Sequence, residues 1–551
     1  MTRIDERVST HVYKVKRISK EEMESIAGVC VYDQPPFCNA ACPLKLDVKA
    51  MLKAAAENDF KKAFKIYESI APFPLILSAG CGAPCEEKCR LCELGDGIAI
   101  GNIERAVALS GGAGERRSIF RVRKKKRAAV FGSGLFALLL AGELEKKGYP
   151  VTAICGEADE EEYLRAAAGF LREDDFYTEL KRLRGKDIVF EFNAEMTKEL
   201  FEEKRGGFDV LCASEKAALD IFPGAIRDEG IMLMESEGLL TGGGETVLEA
   251  ALGARKAALT ADRLAQGIDQ RSARGEEGPV TSRLYTNPDL ARGLIRIKGC
   301  ESGYTREQAA EEAGRCMQCH CDECLRGCAY LRRFNKHPGL LSREIYNNTQ
   351  IIMGDHPLNR AMNACALCGQ CTVTCPHGFD MAHVCRTARE NMVDTDKMPL
   401  AAHEFALLDM LFSNGEAYLC RKQPGHSHCR YVFFPGCQAA AIAPEAVIAA
   451  YEDLCTRLKG GVALMLGCCG AIAHWAGRGE MYGEVRDKIA AELAALEDPV
   501  IIAGCPSCMK LLSEQDMAET VGIWTVLRDR GLPDGARGGG RAVLHAACGA
   551  R

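Results

Sequence analysis

CMQCHCDECLRGC, Cys316–Cys328, followed by CALCGQCTVTCP, Cys365–Pro376, is the stretch whose reading decides the fold. The second half has the spacing C-x2-C-x2-C-x3-C-P. A loop that curls three thiolates around one iron–sulfur cube and sends a fourth to a neighbouring cube needs that spacing. The first half offers Cys316, Cys319, Cys324 and Cys328. If the fourth cysteines cross over, Cys316, Cys319, Cys324 and Cys375 hold one cube, and Cys365, Cys368, Cys371 and Cys328 the other. Cys321 competes with Cys324, but only Cys324 keeps the three-residue gap to Cys328. A pair of such cubes relays electrons.

Outward from this stretch, composition narrows the class. The chain has 551 residues, 29 of them cysteine, and a formal net charge of -6. That length allows several domains, each with its own core. A polar N-terminus, Met1 to Lys20, and clustered thiols point to metal ligands in a cytoplasmic protein rather than to a secreted disulfide framework. The net charge gives no reason to expect nucleic acid, and the basic run RVRKKKR, Arg121–Arg127, reads as a solvated linker into a strand. No apolar run reaches the ~18 residues of a membrane span.

Upstream of the stretch, residues 268–300 are polar and rich in Gly, Pro and Arg, which suits a linker. Tyr304 to Gly314 reads as a helix with Thr305 and Gln308 forming a capping box, delivering the chain to Cys316. Four nearby histidines, His320, His337, His356 and His377, read as solvated or packing residues, because the cysteines complete both cubes. Cys385, Cys420 and Cys429 have no partner spacing.

Downstream, YVFFPGCQ places Cys437 after an apolar run and a Pro-Gly turn; Cys468 and Cys469 follow Val462–Leu466, and Cys505-x2-Cys508 follows Val500–Ile502. An α/β unit with cysteines at the C-terminal ends of its strands converges them on one site. The pattern resembles the cysteine-rich CCG domain of heterodisulfide reductases and related oxidoreductase subunits. The resemblance implies that Cys437, Cys468, Cys469, Cys505 and Cys508 hold an iron–sulfur cluster at which a disulfide is cleaved. A zinc site made from four of these thiols is the competing reading. His474 is a candidate proton donor. HAACGAR, His545–Arg551, reads as the start of a second, truncated CCG copy.

The N-terminal region alternates cysteine loops with helical patterns, Val48–Ala56 and Asp59–Ile70 among them. Cys38-x3-Cys42-Pro43, PFPLILSAGCGAPCEEKC ending at Cys89, and IAIGNIERA, Ile98–Ala106, resemble the iron–sulfur domain of the glutamate synthase small subunit and dihydropyrimidine dehydrogenase. The resemblance implies one cluster on Cys42, Cys81, Cys85 and Glu104. It implies a second on Cys30, Cys38, Cys89 and a cysteine three residues after Cys30. That position is Asp33, a harder ligand than a thiolate. Asp33 itself, the nearby Cys92, or a labile or absent cluster are the alternatives.

KRAAVFGSGLFALLLAGELEKK, residues 126–147, reads as strand, glycine turn and helix, with Gly132, Gly134 and Ala137 at dinucleotide-fingerprint positions. Tyr149–Ile154 gives the next strand. Thr241–Gly267 resembles the closing segment of the flavin domain in the same reductase family. The interval between is too short for that family's inserted nicotinamide domain. Cys155 replaces the expected ribose-binding acid, and Glu157 is a substitute. Two readings stand: FAD bound at this turn, or a scaffold that has lost it.

The expected fold class is multidomain, α/β and α. A helical two-cluster iron–sulfur domain spans 1–120, a reduced Rossmann-like FAD-type domain 121–268, and a linker 269–303; a helical ferredoxin-like domain with two 4Fe-4S clusters spans 304–425, and an α/β CCG domain 426–551. The function expected is an oxidoreductase passing electrons through 4Fe-4S clusters to the CCG site for disulfide or thiol reduction. The alternative is a non-catalytic subunit wiring a partner dehydrogenase to its acceptor. Both imply a donor or acceptor protein, and the first adds a small disulfide or thiol substrate.

Overall fold

The computed structural model describes residues 19–110, 123–272, 274, 275, 277–299 and 303–533. The second-copy reading at His545–Arg551 lies outside them. The chain is mixed α/β with two small mixed sheets. It forms two compact units, Asp33–Cys321 and Met1–Tyr32 with Asp322–Arg551, so the boundary falls inside the opening stretch, after Cys321.

In the Asp33–Cys321 unit, helices Val48–Ala56 and Phe60–Glu68 are started by Asp47 and Asp59, whose side chains accept the Ala50 and Lys62 N–H groups. Val48, Met51, Leu52 and Ala55 recur at helical spacing and are fully buried. Helix Arg306–Gly314 opens with the Thr305–Gln308 capping box and packs on Val48–Ala56 and Ile100–Ser110. Its Glu312 is 0 % exposed. The Glu312 carboxylate accepts the backbone N–H of Ala99 (3.0 Å) and Ile297 (2.9 Å) and the Arg315 guanidinium (2.5 Å). Arg315 also donates to the Asp96 carbonyl at 2.6 Å. A buried charge satisfied on every side fixes where residue 316 emerges.

The same unit holds a six-stranded sheet of β1 (Ala128–Phe131), β2 (Val151–Ile154), β3 (Ile188–Glu191), β4 (Val210–Ser214), β5 (Leu233–Met234) and β6 (Leu239–Gly242), in the order β3-β2-β1-β4-β6-β5. All pairings are parallel except β5 with β6. This is a doubly wound arrangement with β1 at its centre. The interval between β2 and β5 is filled by β3, β4 and four helices. Within the described part of the basic run, Arg123 pairs with Asp187 and Lys124 with Asp262.

In the other unit, helix Pro338–Gln350 packs on Lys20–Ala27 and on Met381–Asp394. Met381, Val384, Cys385, Ala388 and Met392 make the buried stripe of the last of these. A five-stranded sheet follows: β7 (Leu419–Arg421), β8 (Tyr431–Phe434), β9 (Val462–Leu466), β10 (Val500–Ala503) and β11 (Thr520–Gly522), in the order β11-β10-β8-β9-β7. Only β7 runs antiparallel, against β9. The parallel strands β10, β8 and β9 therefore present their C-terminal ends along one edge.

Candidate metal centres

Cys42, Cys81, Cys85 and Glu104 line one pocket together with Tyr67 and aliphatic side chains. Burial, with Glu86 second, pushes the Glu104 carboxyl up to about 8. Burial and then Glu104 push the Cys81 thiol up to about 12, and they raise Cys85 as well. The Tyr67 hydroxyl is buried with no hydrogen-bond partner among the described residues. An orphaned donor facing three thiols and a carboxyl is unfavourable in an empty cavity. It fits one holding a cluster whose sulfides accept the bond.

The other expected N-terminal thiols divide. Cys38 and Cys89 lie with Cys316 and Cys319, each within electrostatic reach of the other three. The spacing had grouped Cys316 and Cys319 with Cys324 and Cys375. Cys30 belongs to the other unit, where it packs beside Gly339 at the start of Pro338–Gln350. Cys92 is exposed, its S–H directed to the Glu86 carbonyl at 3.5 Å.

In that other unit Cys324, Cys371 and Cys385 are buried in one apolar cluster, against which Cys30, Cys328, Cys365 and Cys375 pack. Cys368 is half-buried. Sequence reasoning missed Cys385, whose thiol contacts Cys365 and lies 3.6 Å from the Tyr330 hydroxyl. Its signal was helical: position 385 falls on the apolar stripe of Met381–Asp394. Arg389, one turn on, donates to the carbonyls of Met362 (2.6 Å), Cys365 (2.5 Å) and Trp475 (2.6 Å).

The five downstream thiols converge. Cys437 begins the helix after β8, Cys468 and Cys469 sit in the turn after β9, and Cys505 and Cys508 open the helix after β10. Their thiols touch in sequence, Cys437 to Cys468 to Cys469 to Cys508 to Cys505. The Cys508 S–H draws Cys505 down to about 5, and S–H groups of Cys468 and Cys508 hold Cys469 well below the ordinary thiol range. Gly436, at φ +87°, makes the approach possible: a Cβ there would stand 3.0 Å from the Cys505 Cβ and 3.3 Å from the Cys508 Sγ. The Asn414 side chain clamps Cys468, accepting its N–H at 2.9 Å and donating to its carbonyl at 3.1 Å. His474 rests on the Tyr482 ring, 4.8 Å between centroids, and burial lowers its pKa. Among the described residues, no three His, Cys, Asp or Glu form a group suited to a single metal ion.

At the expected nucleotide turn, Gly132 (φ +86°) and Gly134 (φ +95°) separate β1 from helix Leu135–Lys146, where Ala137 is fully buried. A Cβ at Gly132 would meet the Ser214 Oγ at 2.4 Å, whereas the space beside Gly134 is open. Past the end of β2, one Glu157 carboxylate oxygen is buried without a hydrogen-bond partner among the described residues. An open glycine backbone at a helix N-terminus and a spare acid beyond the next strand suit a dinucleotide.

Residues 7–111 match the family described as dihydropyrimidine dehydrogenase domain II, 4Fe-4S cluster; residues 315–380 match the 4Fe-4S dicluster domain, and residues 431–513 the cysteine-rich CCG domain. The chain is 27% identical over 229 residues to the NADPH-Fe(3+) oxidoreductase subunit beta of Geobacter sulfurreducens, covering 39% of this chain and 33% of that one. It is 29% identical over 146 residues to the glutamate synthase (NADPH) small chain of Azospirillum brasilense, covering 24% and 29%. It is 27% identical over 138 residues to the NADP(+)-dependent formate dehydrogenase subunit beta of Moorella thermoacetica, covering 21% and 20%. The chain spans about a third or less of the length of these relatives. It carries ferredoxin-type 4Fe-4S domains of the electron-transfer oxidoreductase kind, and a CCG domain. Among the described residues, no helix is long and apolar enough to cross a membrane.

Proposed function

We propose that the chain is a cytoplasmic iron–sulfur oxidoreductase that takes electrons from a partner redox protein and delivers them to the CCG site, where a small disulfide is reduced. One observation carries this reading. The Arg389 guanidinium joins the Cys365 carbonyl in the ferredoxin-like region to the Trp475 carbonyl, in the short helix that follows Cys468 and Cys469. When bound, the clusters supply one-electron transfer, and a disulfide taking up two electrons and two protons leaves as two thiols.

The protein's own residues hold, orient and shield. Cys437, Cys468, Cys469, Cys505 and Cys508 would hold the terminal cluster at the strand edge, with Asn414 fixing the Cys468 backbone. Cys42, Cys81, Cys85 and Glu104 would hold another in the pocket they line. Gly132, Gly134, Ala137 and Glu157 would receive FAD, if that site has kept it.

The reading of a non-catalytic subunit is favoured by one surface. Helix Glu404–Asn414 leaves Phe405 (89 %) and Phe412 (57 %) exposed, and apolar patches of this kind mark interaction sites. Iron and flavin content, EPR of reduced and oxidised protein, and turnover of a small disulfide with reduced methyl viologen test both. Turnover by the isolated chain supports the enzyme; turnover only after a partner is added supports the subunit. A fully iron-loaded chain inert in both assays overturns disulfide reduction.

A further inference from the structure

Cys316 and Cys319 begin the motif on which the sequence reading rests, yet they lie in the Asp33–Cys321 unit with Cys38 and Cys89. The four thiols neighbour one another. All four pack against the same apolar core.

Three further features hold the arrangement in place. Lys49 ties the two loops together. Its N–H is accepted by Asn39, the neighbour of Cys38, at 3.0 Å; its carbonyl accepts the Gln318 side chain at 3.3 Å; its Nζ donates to the Cys319 carbonyl at 3.0 Å. Gln318, at φ +50°, also donates to the Cys316 sulfur at 3.4 Å. The Thr286 hydroxyl, 4 % exposed, faces the Cys319 thiol.

We propose that Cys38, Cys89, Cys316 and Cys319 together hold one 4Fe-4S cluster. Four thiolates are the ordinary ligand set of a 4Fe-4S cube. The site accounts for Asp33: with two thiols supplied by Cys316 and Cys319, neither Cys30, Asp33 nor Cys92 is needed as a ligand. The assignment stands whether or not the CCG site reduces a disulfide.

Iron stoichiometry of the full chain tests it. The double variants C38S/C89S and C316S/C319S should each lose about four iron atoms, and the quadruple variant should also lose only about four, because all four thiols serve one cube. A quadruple loss of about eight irons would show two separate cubes and overturn the proposal. Zinc in place of the lost iron would overturn it too. Should the quadruple variant fail to fold, the single variants C38S and C319S decide by EPR. Change in the same resonance, untouched by C30S, supports the shared site; change in different resonances, or C30S mimicking C38S, removes it.

Discussion

Two thiol sites in this molecule are assembled by different physics. Cys437, Cys468, Cys469, Cys505 and Cys508 are gathered by a sheet: parallel strands β10, β8 and β9 end along one edge, and each thiol group follows its strand. Cys38, Cys89, Cys316 and Cys319 are gathered by helix packing, a buried ion pair and the bridging Lys49, which meets Cys319 across 270 residues of chain. A sheet edge converts sequence spacing into proximity. Helix packing does so only through side chains that have no spacing to read.

The largest expected effect is at the helix-packed site. Glu312→Ala leaves Arg315 buried without its partner and should destabilise the Asp33–Cys321 unit by about 3–5 kcal/mol. Iron should then be lost from that unit while the CCG signal persists. Denaturant unfolding with EPR checks this, and a change below ~1 kcal/mol would mean the ion pair does not hold the stretch in place.

Gly436→Ala is the corresponding break at the sheet-built site. A side chain at φ +87°, with its Cβ 3.0 Å from the Cys505 Cβ, should cost about 1–3 kcal/mol and remove the CCG signal selectively. Normal CCG spectra in this variant would show that the thiols do not need the close approach.

Removing one support from each site sharpens the contrast. Asn414→Ala deletes two hydrogen bonds to the Cys468 backbone, and Lys49→Met deletes one to the Cys319 carbonyl while keeping its aliphatic stem. About 1–2 kcal/mol is expected for the first and about 1 for the second. Each should alter only its own EPR component; a cross-effect would mean that the two sites are energetically coupled.

Tyr67→Phe should have the smallest effect on stability, since it removes a buried hydroxyl with no hydrogen-bond partner among the described residues. If that hydroxyl donates to a cluster held by Cys42, Cys81, Cys85 and Glu104, the variant should lower that cluster's reduction potential. An unchanged potential in redox titration would remove the hydrogen bond.

The 4Fe-4S and CCG domains were legible because such domains impose local spacing on their cysteines. The run from Cys365 to Pro376, the Gly132–Gly134 turn between β1 and its helix, and the thiols following β8, β9 and β10 are each set within a few residues of a strand or loop. Cys385 was missed because a cysteine on an apolar helical stripe looks like any small core residue. Lys49 and Thr286 carry no motif at all. Their importance comes from what the fold sets beside them.

The sequence by itself determined the presence of 4Fe-4S domains, the strand-to-cysteine order of the CCG domain and the doubly wound pattern around β1, since these depend on contacts between near neighbours in the chain. Only the tertiary structure decided which thiols lie beside one another. The spacing assigned Cys316 and Cys319 to Cys324. The Glu312–Arg315 pair and the packing of helix Arg306–Gly314 hold them beside Cys38 and Cys89, because burying that charge requires donors from Ala99 and Ile297.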